Sequence, residues 1–125
     1  MEKELKTTAG EGLAAKISYA EDITETVGNI PLVRLRRLPR EWGVTATILV
    51  KPEFMNPTGS VKDRMAIFLL KQAVRRGDLK PGGTIVEATS GNTGAAVAMF
   101  AAAHGYRAIL TIPDKMSNEK VDTLK

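Results

Sequence analysis

The sequence of 125 residues has the length of a single domain and leaves no room for a second full one. Hydrophobic residues make up 43% and charged residues 26%, which is an ordinary composition for a soluble globular protein. Cysteine is absent and there is one histidine, which excludes disulfides and thiolate or histidine-cluster metal sites. The net charge of +4 is mildly basic, and no apolar run approaches the length of a membrane span.

The amino-terminal residues show no secretory signal, because residues 1–6 carry both charge signs and no apolar segment follows them. We therefore expect a cytoplasmic protein. Residues 1–22 follow no steady period, and we interpret them as an extension. The densest basic cluster is Arg34–Arg40, in which leucines alternate with arginines and no aromatic residue occurs. A short basic run can mark a nucleic-acid surface, but we interpret this one as a solvated face and expect no nucleic-acid partner.

From residue 45 onward, strand-like and helix-like segments alternate. The predicted strands are Thr45–Val50, Thr84–Ala88 and Arg107–Ile112. Three helices are predicted. The first begins at Ser60 or Val61 and ends at Gly77, and the second covers Ala95–His104. The third begins after Ser117 and continues to Lys125. This alternation is typical of parallel βαβ units, so we predict an α/β fold with a three-stranded parallel sheet. The sheet is small and its last helix has no following strand, so we expect the domain to be incomplete.

Four single residues carry local predictions. Ser60 and Asp63 have the spacing of a weak capping box at the start of the first long helix. His104 falls at a helix carboxyl terminus, where the macrodipole favours a cation. We interpret Trp42 as a packing anchor.

Ligands of parallel sheets gather at the carboxyl ends of the strands, which makes two loops candidates for function. The first is Pro52–Ser60, and it leads into Lys62 in the first turn of a predicted helix. The positive end of the macrodipole there disfavours the ammonium, and so favours a free amine that acts as nucleophile or base. Taken alone, Lys62 is equally well explained as an exposed lysine on a surface helix.

The second loop is Thr89–Gly94, which contains hydroxyls, small residues and an amide between a strand and a helix start. Free backbone N–H groups at such a position suit a carboxylate or a phosphate. A tight turn with one Ser or Thr as helix cap is the simpler interpretation, but it accounts for one hydroxyl and not for three. Gly91 and Gly94 form only Gly-x-x-Gly, so a small nucleotide-binding domain is the weakest alternative.

Both loops resemble motifs of the fold type II pyridoxal-phosphate enzymes. Ser60–Arg64 is similar to the lysine motif of the cysteine synthase and cystathionine β-synthase branch, and Thr89–Gly94 is similar to its asparagine loop. Val27–Leu35 resembles the opening strand of that family, and Pro113–Lys120 resembles a segment of the cystathionine β-synthase side. The resemblance runs from Ile23 to Lys125. It implies the amino-terminal part of such an enzyme, with a three-layer, Rossmann-like small domain.

The resemblance also implies a division of the chain and a set of site residues. Residues 1–22 would be an extension, residues 23–44 the opening strand and connector, and residues 45–125 a truncated cofactor-binding α/β domain. Lys62 would bond to pyridoxal 5'-phosphate and later move the α-proton of the substrate, and Asn92 would hydrogen-bond the ring hydroxyl oxygen of the cofactor. The substrate carboxylate would be bound by the loop residues Thr89, Ser90, Gly91 and Thr93.

The implied reaction is a β-replacement on L-serine or O-acetyl-L-serine, in which a thiol or sulfide displaces the β-substituent. Lys115–Ser117 favours a cystathionine β-synthase, and Asn56–Gly59 fits a cysteine synthase at least as well, so both activities stay open. The family takes its phosphate-binding loop and its partner for the pyridine nitrogen from a second half that this sequence does not contain. We therefore expect the isolated chain to be inactive and the full-length form to be a homodimer. The alternative is a non-catalytic fragment that binds a full-length partner through its uncovered opening strand.

Overall fold

The computed structural model describes residues 19–122. Its helices are α1 (Arg37–Glu41), α2 (Lys62–Arg76), α3 (Asn92–His104) and α4 (Asn118–Asp122), and its strands are β1 (Val33–Arg34), β2 (Leu49–Val50), β3 (Thr84–Ala88) and β4 (Arg107–Thr111). Two 3₁₀ turns cover Ile23–Thr26 and Glu53–Met55. Residues 1–18 of the predicted extension lie outside the described residues. The predicted continuation of α4 after residue 122 does so too.

The strands form two separate pairs, which corrects the predicted sheet. β3 and β4 are parallel, with a register that runs from Thr84 opposite Arg107 to Ala88 opposite Thr111. β2 does not join them; it pairs antiparallel with β1. The predicted strand Thr45–Val50 is reduced to its last two residues, because the short connection through α1 returns the chain directly alongside β1. The α/β fold with a small parallel sheet is confirmed, whereas the three-layer arrangement stays a prediction.

The two long helices end where glycine permits a left-handed residue. Gly77 (φ 78°) follows α2 and Gly105 (φ 72°) follows α3, as predicted. The start of α3 differs from the prediction, because the helix begins at Asn92 and not at Ala95. The second half of the second candidate loop, residues 92–94, is therefore the first turn of a helix.

The core lies between α2, α3 and the parallel strands. Ala66, Ala96 and Val97 form a buried cluster, and Leu70, Ile85 and Leu110 pack against it. Alanine on both helices lets their backbones approach closely, and α2 and α3 make extensive contact. Lys62 precedes Ala66 by four residues and Asn92 precedes Ala96 by four residues. Because residues i and i+4 share a helix face, this packing brings the two helix starts together.

Two further predictions concern single residues. His104 is the last residue of α3, as predicted, and its Nε2 lies 3.2 Å from Oγ1 of the buried Thr24, which ties the first 3₁₀ turn to the end of α3. The interpretation of Trp42 as a packing anchor is wrong, since this residue is 73% exposed. The buried residue of that segment is Pro39, within the short helix α1.

Candidate active site

A cavity of about 320 Å³ lies at the amino-terminal ends of α2 and α3. We call it the lysine cavity. Its lining combines residues of both candidate loops: Thr58, Lys62, Ser90, Gly91, Asn92, Thr93 and Ala95. The structure thus brings Lys62 together with four of the five residues predicted on the second loop.

Lys62 is the first residue of α2 and its side chain is exposed. Its backbone N–H donates to Oγ of Ser60 (3.1 Å), so the serine hydroxyl stabilises the helix start. The amine projects from a fixed backbone position and is free to approach a ligand in the cavity. This hydrogen bond fixes the position from which the lysine side chain extends.

Asp63, the next residue, is completely buried and faces Thr58. Its carboxylate accepts the backbone N–H of Thr58 (2.8 Å) and a hydrogen bond from the hydroxyl of Thr58. The predicted capping box between Ser60 and Asp63 is wrong, because Asp63 uses both oxygens on Thr58. The left-handed Gly59 (φ 77°) reverses the chain between them. This arrangement holds Thr58 against the lysine cavity.

A second network fixes the start of the same loop. Asn56 is buried and donates from Nδ2 to the backbone oxygen and to Oε2 of Glu53, both at 2.8 Å, while its Oδ1 accepts the N–H of Gly28 (3.1 Å). Nε of Arg64 donates to Oε2 of Glu53 at 2.8 Å. This hydrogen bond from Arg64, together with the one from Asn56, holds the pKa of Glu53 below its usual range. The loop before Lys62 is thus anchored at both of its ends.

Thr89 does not line the lysine cavity. Its side chain is buried, and its hydroxyl oxygen accepts the backbone N–H groups of Gly91 (3.1 Å) and Gly94 (2.9 Å). Gly91 occupies the N-cap position of α3 and has no side chain to accept a hydrogen bond, so Thr89 supplies this acceptor from two residues earlier. Gly91 also has φ 148° and ψ −94°, a conformation that favours glycine. The hydroxyl of Thr89 therefore shapes the loop.

A second cavity, of about 440 Å³, lies at the carboxyl ends of β3 and β4. We call it the strand-end cavity. Its lining residues are Ala88, Thr89, Ser90, Thr111, Ile112 and Pro113. Ser90 lines both cavities, so the two cavities adjoin at this residue.

Among residues 19–122, no helix is both long and apolar enough to cross a lipid bilayer. The same part of the chain contains no group of three His, Asp or Glu side chains that could hold a metal ion.

Sequence reasoning missed several residues that shape the site. Thr58 and Ala95 line the lysine cavity, and the pair Glu53 and Arg64 anchors the first loop. The glycine that follows Thr58 is a signal in the sequence that could have identified it. Gly59 adopts a left-handed conformation, which directs the chain at Thr58 toward the following helix. The pairing of Glu53 with Arg64 spans eleven residues and has no local signal in the sequence.

Comparison with known proteins gives a consistent result. The profile of the family described as "Pyridoxal-phosphate dependent enzyme" matches residues 23–125. A cystathionine beta-synthase of Apis mellifera is 50% identical over 103 residues, which cover 82% of this chain and 20% of that protein. Cysteine synthase 1 of Emericella nidulans is 44% identical over 125 residues (97% of this chain, 33% of that protein). Cysteine synthase B of Pseudomonas aeruginosa is 55% identical over 98 residues (78% and 32%).

A solved structure is similar in fold as well as in sequence. The crystal structure of an O-ureido-L-serine synthase superposes with a TM-score of 0.78 at 45% identity, covering 85% of this chain and 33% of that one. The chain thus spans between a fifth and a third of the length of these relatives.

Proposed function

This chain belongs to the family of pyridoxal-phosphate-dependent enzymes, and we propose that it forms one wall of the active site of a β-replacement enzyme acting on L-serine or O-acetyl-L-serine. One observation carries the proposal. Lys62, Asn92 and the hydroxyl-rich start of α3 share a single cavity.

The residues of the lysine cavity fit the cofactor of the family. Lys62 offers a primary amine for its aldehyde carbon, and the Asn92 amide suits its ring hydroxyl oxygen. The cavity volume of about 320 Å³ lies within the range of small-molecule sites, roughly 300–1,000 Å³. Bound there, the cofactor would supply an electron sink for the electrons left at Cα of the substrate.

The start of α3 suits the substrate carboxylate. The first-turn N–H groups of Asn92 and Thr93 have no intrahelical acceptor by their position, and the positive end of the dipole favours an anion. The residues proposed to bind the carboxylate are Ser90, Gly91 and Thr93 at the cavity, with Thr89 bracing the loop behind them.

Lys62 is the proposed catalytic base. It would take the proton from Cα; the bond between Cβ and oxygen then breaks, and its electron pair leaves with acetate or hydroxide. The sulfur of a thiolate or of hydrosulfide forms the new bond to Cβ, and Lys62 returns the proton to Cα. The net change converts the donor and the thiol into a thioether, or into cysteine when sulfide is the nucleophile, plus acetic acid or water.

The proposal is tested with the product of the full gene, loaded with cofactor. We expect formation of cysteine from O-acetylserine and sulfide, or of cystathionine from serine and homocysteine. Lys62→Ala should abolish turnover, whereas Lys80→Ala, at an exposed lysine in the turn before β3, should leave it unchanged. Full turnover in Lys62→Ala, or no product from either donor in the unaltered enzyme, would refute the proposal.

We propose that the isolated chain of 125 residues is inactive, because within residues 19–122 its lysine cavity is lined only by the two loops and the helix starts that follow them. Adding cofactor to this chain should give little of the absorbance expected for a lysine-bound cofactor. A strong band that disappears in Lys62→Ala, accompanied by turnover, would contradict this. Four further points stay predictions: the choice between serine and O-acetylserine as donor, the homodimer, the three-layer arrangement and the cytoplasmic location.

A second function is favoured by the ribbon of β1 and β2. It has only two strands, and Leu32, Val33 and Leu49 are 59%, 46% and 51% exposed. An apolar strand edge of this kind can pair with another chain, which suits a non-catalytic fragment that binds a full-length partner. Size-exclusion chromatography of the chain with and without a full-length homologue tests this, and the absence of a shift at micromolar concentration would count against it.

A further inference from the structure

One hydroxyl of the lysine cavity has its hydrogen engaged outside the cavity. A carboxylate can only accept hydrogen bonds, so the hydroxyl of Thr58 donates its single hydrogen to Asp63. The Thr58 oxygen therefore has only lone pairs to offer to a group in the cavity that Thr58 lines. The hydroxyls of Ser90 and Thr93 make no hydrogen bond within residues 19–122 and remain free to donate. Thr58 is thus an acceptor, whereas the other two hydroxyls can serve as donors.

The carboxylate behind Thr58 is buried without a cation. Asp63 is completely buried, and it forms no ion pair with any other side chain within residues 19–122. A buried charge that lacks a counter-ion is costly, so a cation close to this carboxylate would lower the cost. The carboxylate also makes the Thr58 oxygen a stronger acceptor, because linked hydrogen bonds polarise one another. The Thr58 hydroxyl therefore suits a cation in the cavity.

One ionisable side chain lines the cavity within the described part of the chain, and it belongs to Lys62. Lys62 is exposed and its amine makes no hydrogen bond within residues 19–122, so the amine can move to an acceptor. A base becomes an ammonium each time that it takes the proton from Cα. An ammonium has three hydrogens to donate and no lone pair, which matches an oxygen that can only accept.

We propose that Thr58 is a positioning residue for the base of the reaction: its oxygen accepts a hydrogen bond from the Lys62 ammonium, while Asp63 holds the hydroxyl in the required orientation. The inference rests on the proposed function. When the proton leaves Cα, the lone pair of Lys62 Nζ forms the new N–H bond, and the electron pair of the C–H bond stays with the substrate. The hydrogen of Thr58 stays directed to Asp63, and no proton moves between them. The reverse step returns the proton from Nζ to Cα.

Two threonine-to-valine variants in the same cavity separate this role from substrate binding. Rates of the cofactor-loaded full-length enzyme are measured against donor concentration. Thr58→Val should lower kcat and kcat/KM equally, by about 10- to 150-fold, the factor for losing one hydrogen bond to a charged group. Thr93→Val, at a residue proposed to bind the substrate carboxylate, should act mainly by raising KM. Thr58→Ser keeps the hydroxyl and should retain most of kcat.

The kinetic isotope effect links the loss to the proton transfer. Because Thr58→Val slows the step that forms the ammonium, the effect of deuterium at Cα of the donor should be at least as large as in the unaltered enzyme. A smaller isotope effect in Thr58→Val, an equal loss of kcat in Thr58→Ser, or a Thr58→Val change confined to KM would overturn the inference.

A structural measurement needs no variant and no turnover. Crystals of the unaltered, cofactor-loaded enzyme are soaked with L-alanine, which has no leaving group at Cβ and cannot complete the reaction. Nζ of Lys62 should then lie within about 3.2 Å of Oγ1 of Thr58. A lysine amine beyond hydrogen-bond distance of Thr58 would overturn the inference, even if Thr58→Val does not fold.

Failure of this inference and failure of the proposed function give different results. If the unaltered enzyme forms product and Lys62→Ala does not, while Thr58→Val has the kcat of the unaltered enzyme, the role of Thr58 is refuted and the β-replacement stands. An unaltered enzyme that forms no product from either donor would refute both.

Discussion

The hydroxyl of Thr89 should stabilise the second loop, and replacing Thr89 with valine measures by how much. Valine keeps the shape of the side chain but cannot accept the N–H groups of Gly91 and Gly94. Gly94 is buried, so leaving its N–H without a partner costs about 1–3 kcal/mol. Gly91 is half-buried and can reach water, so it adds roughly 0.5–1 kcal/mol. Together these contributions predict a local destabilisation of about 1.5–4 kcal/mol, which corresponds to roughly 10- to 700-fold in an equilibrium constant.

Native-state hydrogen exchange of the full-length protein, read at residues 89–95, measures this change locally. Thr89→Val should accelerate exchange of the Gly94 amide by that factor, and Thr89→Ser should retain most of the protection because it keeps the hydroxyl. Thr93→Val is the matched control, since the Thr93 hydroxyl makes no hydrogen bond within the described part of the chain. Unchanged protection in Thr89→Val, or equal loss in Thr89→Ser, would show that the hydroxyl does not cap α3.

Three further predictions concern the two loops. Because the hydrogen bond from Arg64 lowers the pKa of Glu53 in the folded state, its stabilising effect is complete above the ordinary value of about 4.3 and disappears as the pH falls through the lower folded value. The midpoint of urea unfolding should therefore fall less steeply with decreasing pH in Glu53→Gln than in the unaltered protein. The same acid dependence in both proteins would contradict this. Gly91→Ala should destabilise the protein by about 1–3 kcal/mol through backbone strain alone, since an added Cβ at φ 148° meets no atom within 4 Å. A thermal midpoint equal to that of the unaltered protein would refute the assigned backbone conformation. Asp63→Asn should cost about 1–3 kcal/mol, because an amide cannot accept both hydrogen bonds from Thr58; thermal unfolding checks it, and a neutral result would argue against the buried contact.

Local signals in the sequence predicted the elements of the parallel pair well. β3 was predicted with its observed bounds, because a β-branched run between a Pro-Gly-Gly turn and a small-residue loop is unambiguous. Gly77 and Gly105 marked the ends of α2 and α3, since each adopts the left-handed conformation that follows many helices. These features depend on neighbours within a few residues.

The errors arose where distant contacts decide the structure. β2 pairs with β1 across the short helix α1, and the strand sequence alone does not say which partner it will take. The start of α3 was placed three residues late because its capping hydroxyl, on Thr89, lies two residues before the N-cap residue Gly91. The capping box at Ser60 was wrong because the buried carboxylate of Asp63 turns to Thr58.

The meeting of Lys62 and Asn92 was expected from the resemblance, and its physical cause is visible only in the structure. Each residue lies one turn before an alanine of the shared core, Ala66 or Ala96. The spacing of four residues between Asn92 and Ala96 places both on one helix face only because α3 begins at Asn92. The roles of the two side chains toward cofactor and substrate stay predictions that chemistry has to test.

The most direct test of the account is to locate the lysine that carries the cofactor. The full-length protein is incubated with pyridoxal phosphate, reduced with borohydride, digested and mapped by mass spectrometry. We predict that the pyridoxyl group is found on Lys62 and that Lys62→Ala gives no labelled peptide from this region. A label on another lysine, or an unlabelled Lys62 in protein that holds the cofactor, would contradict the central claim.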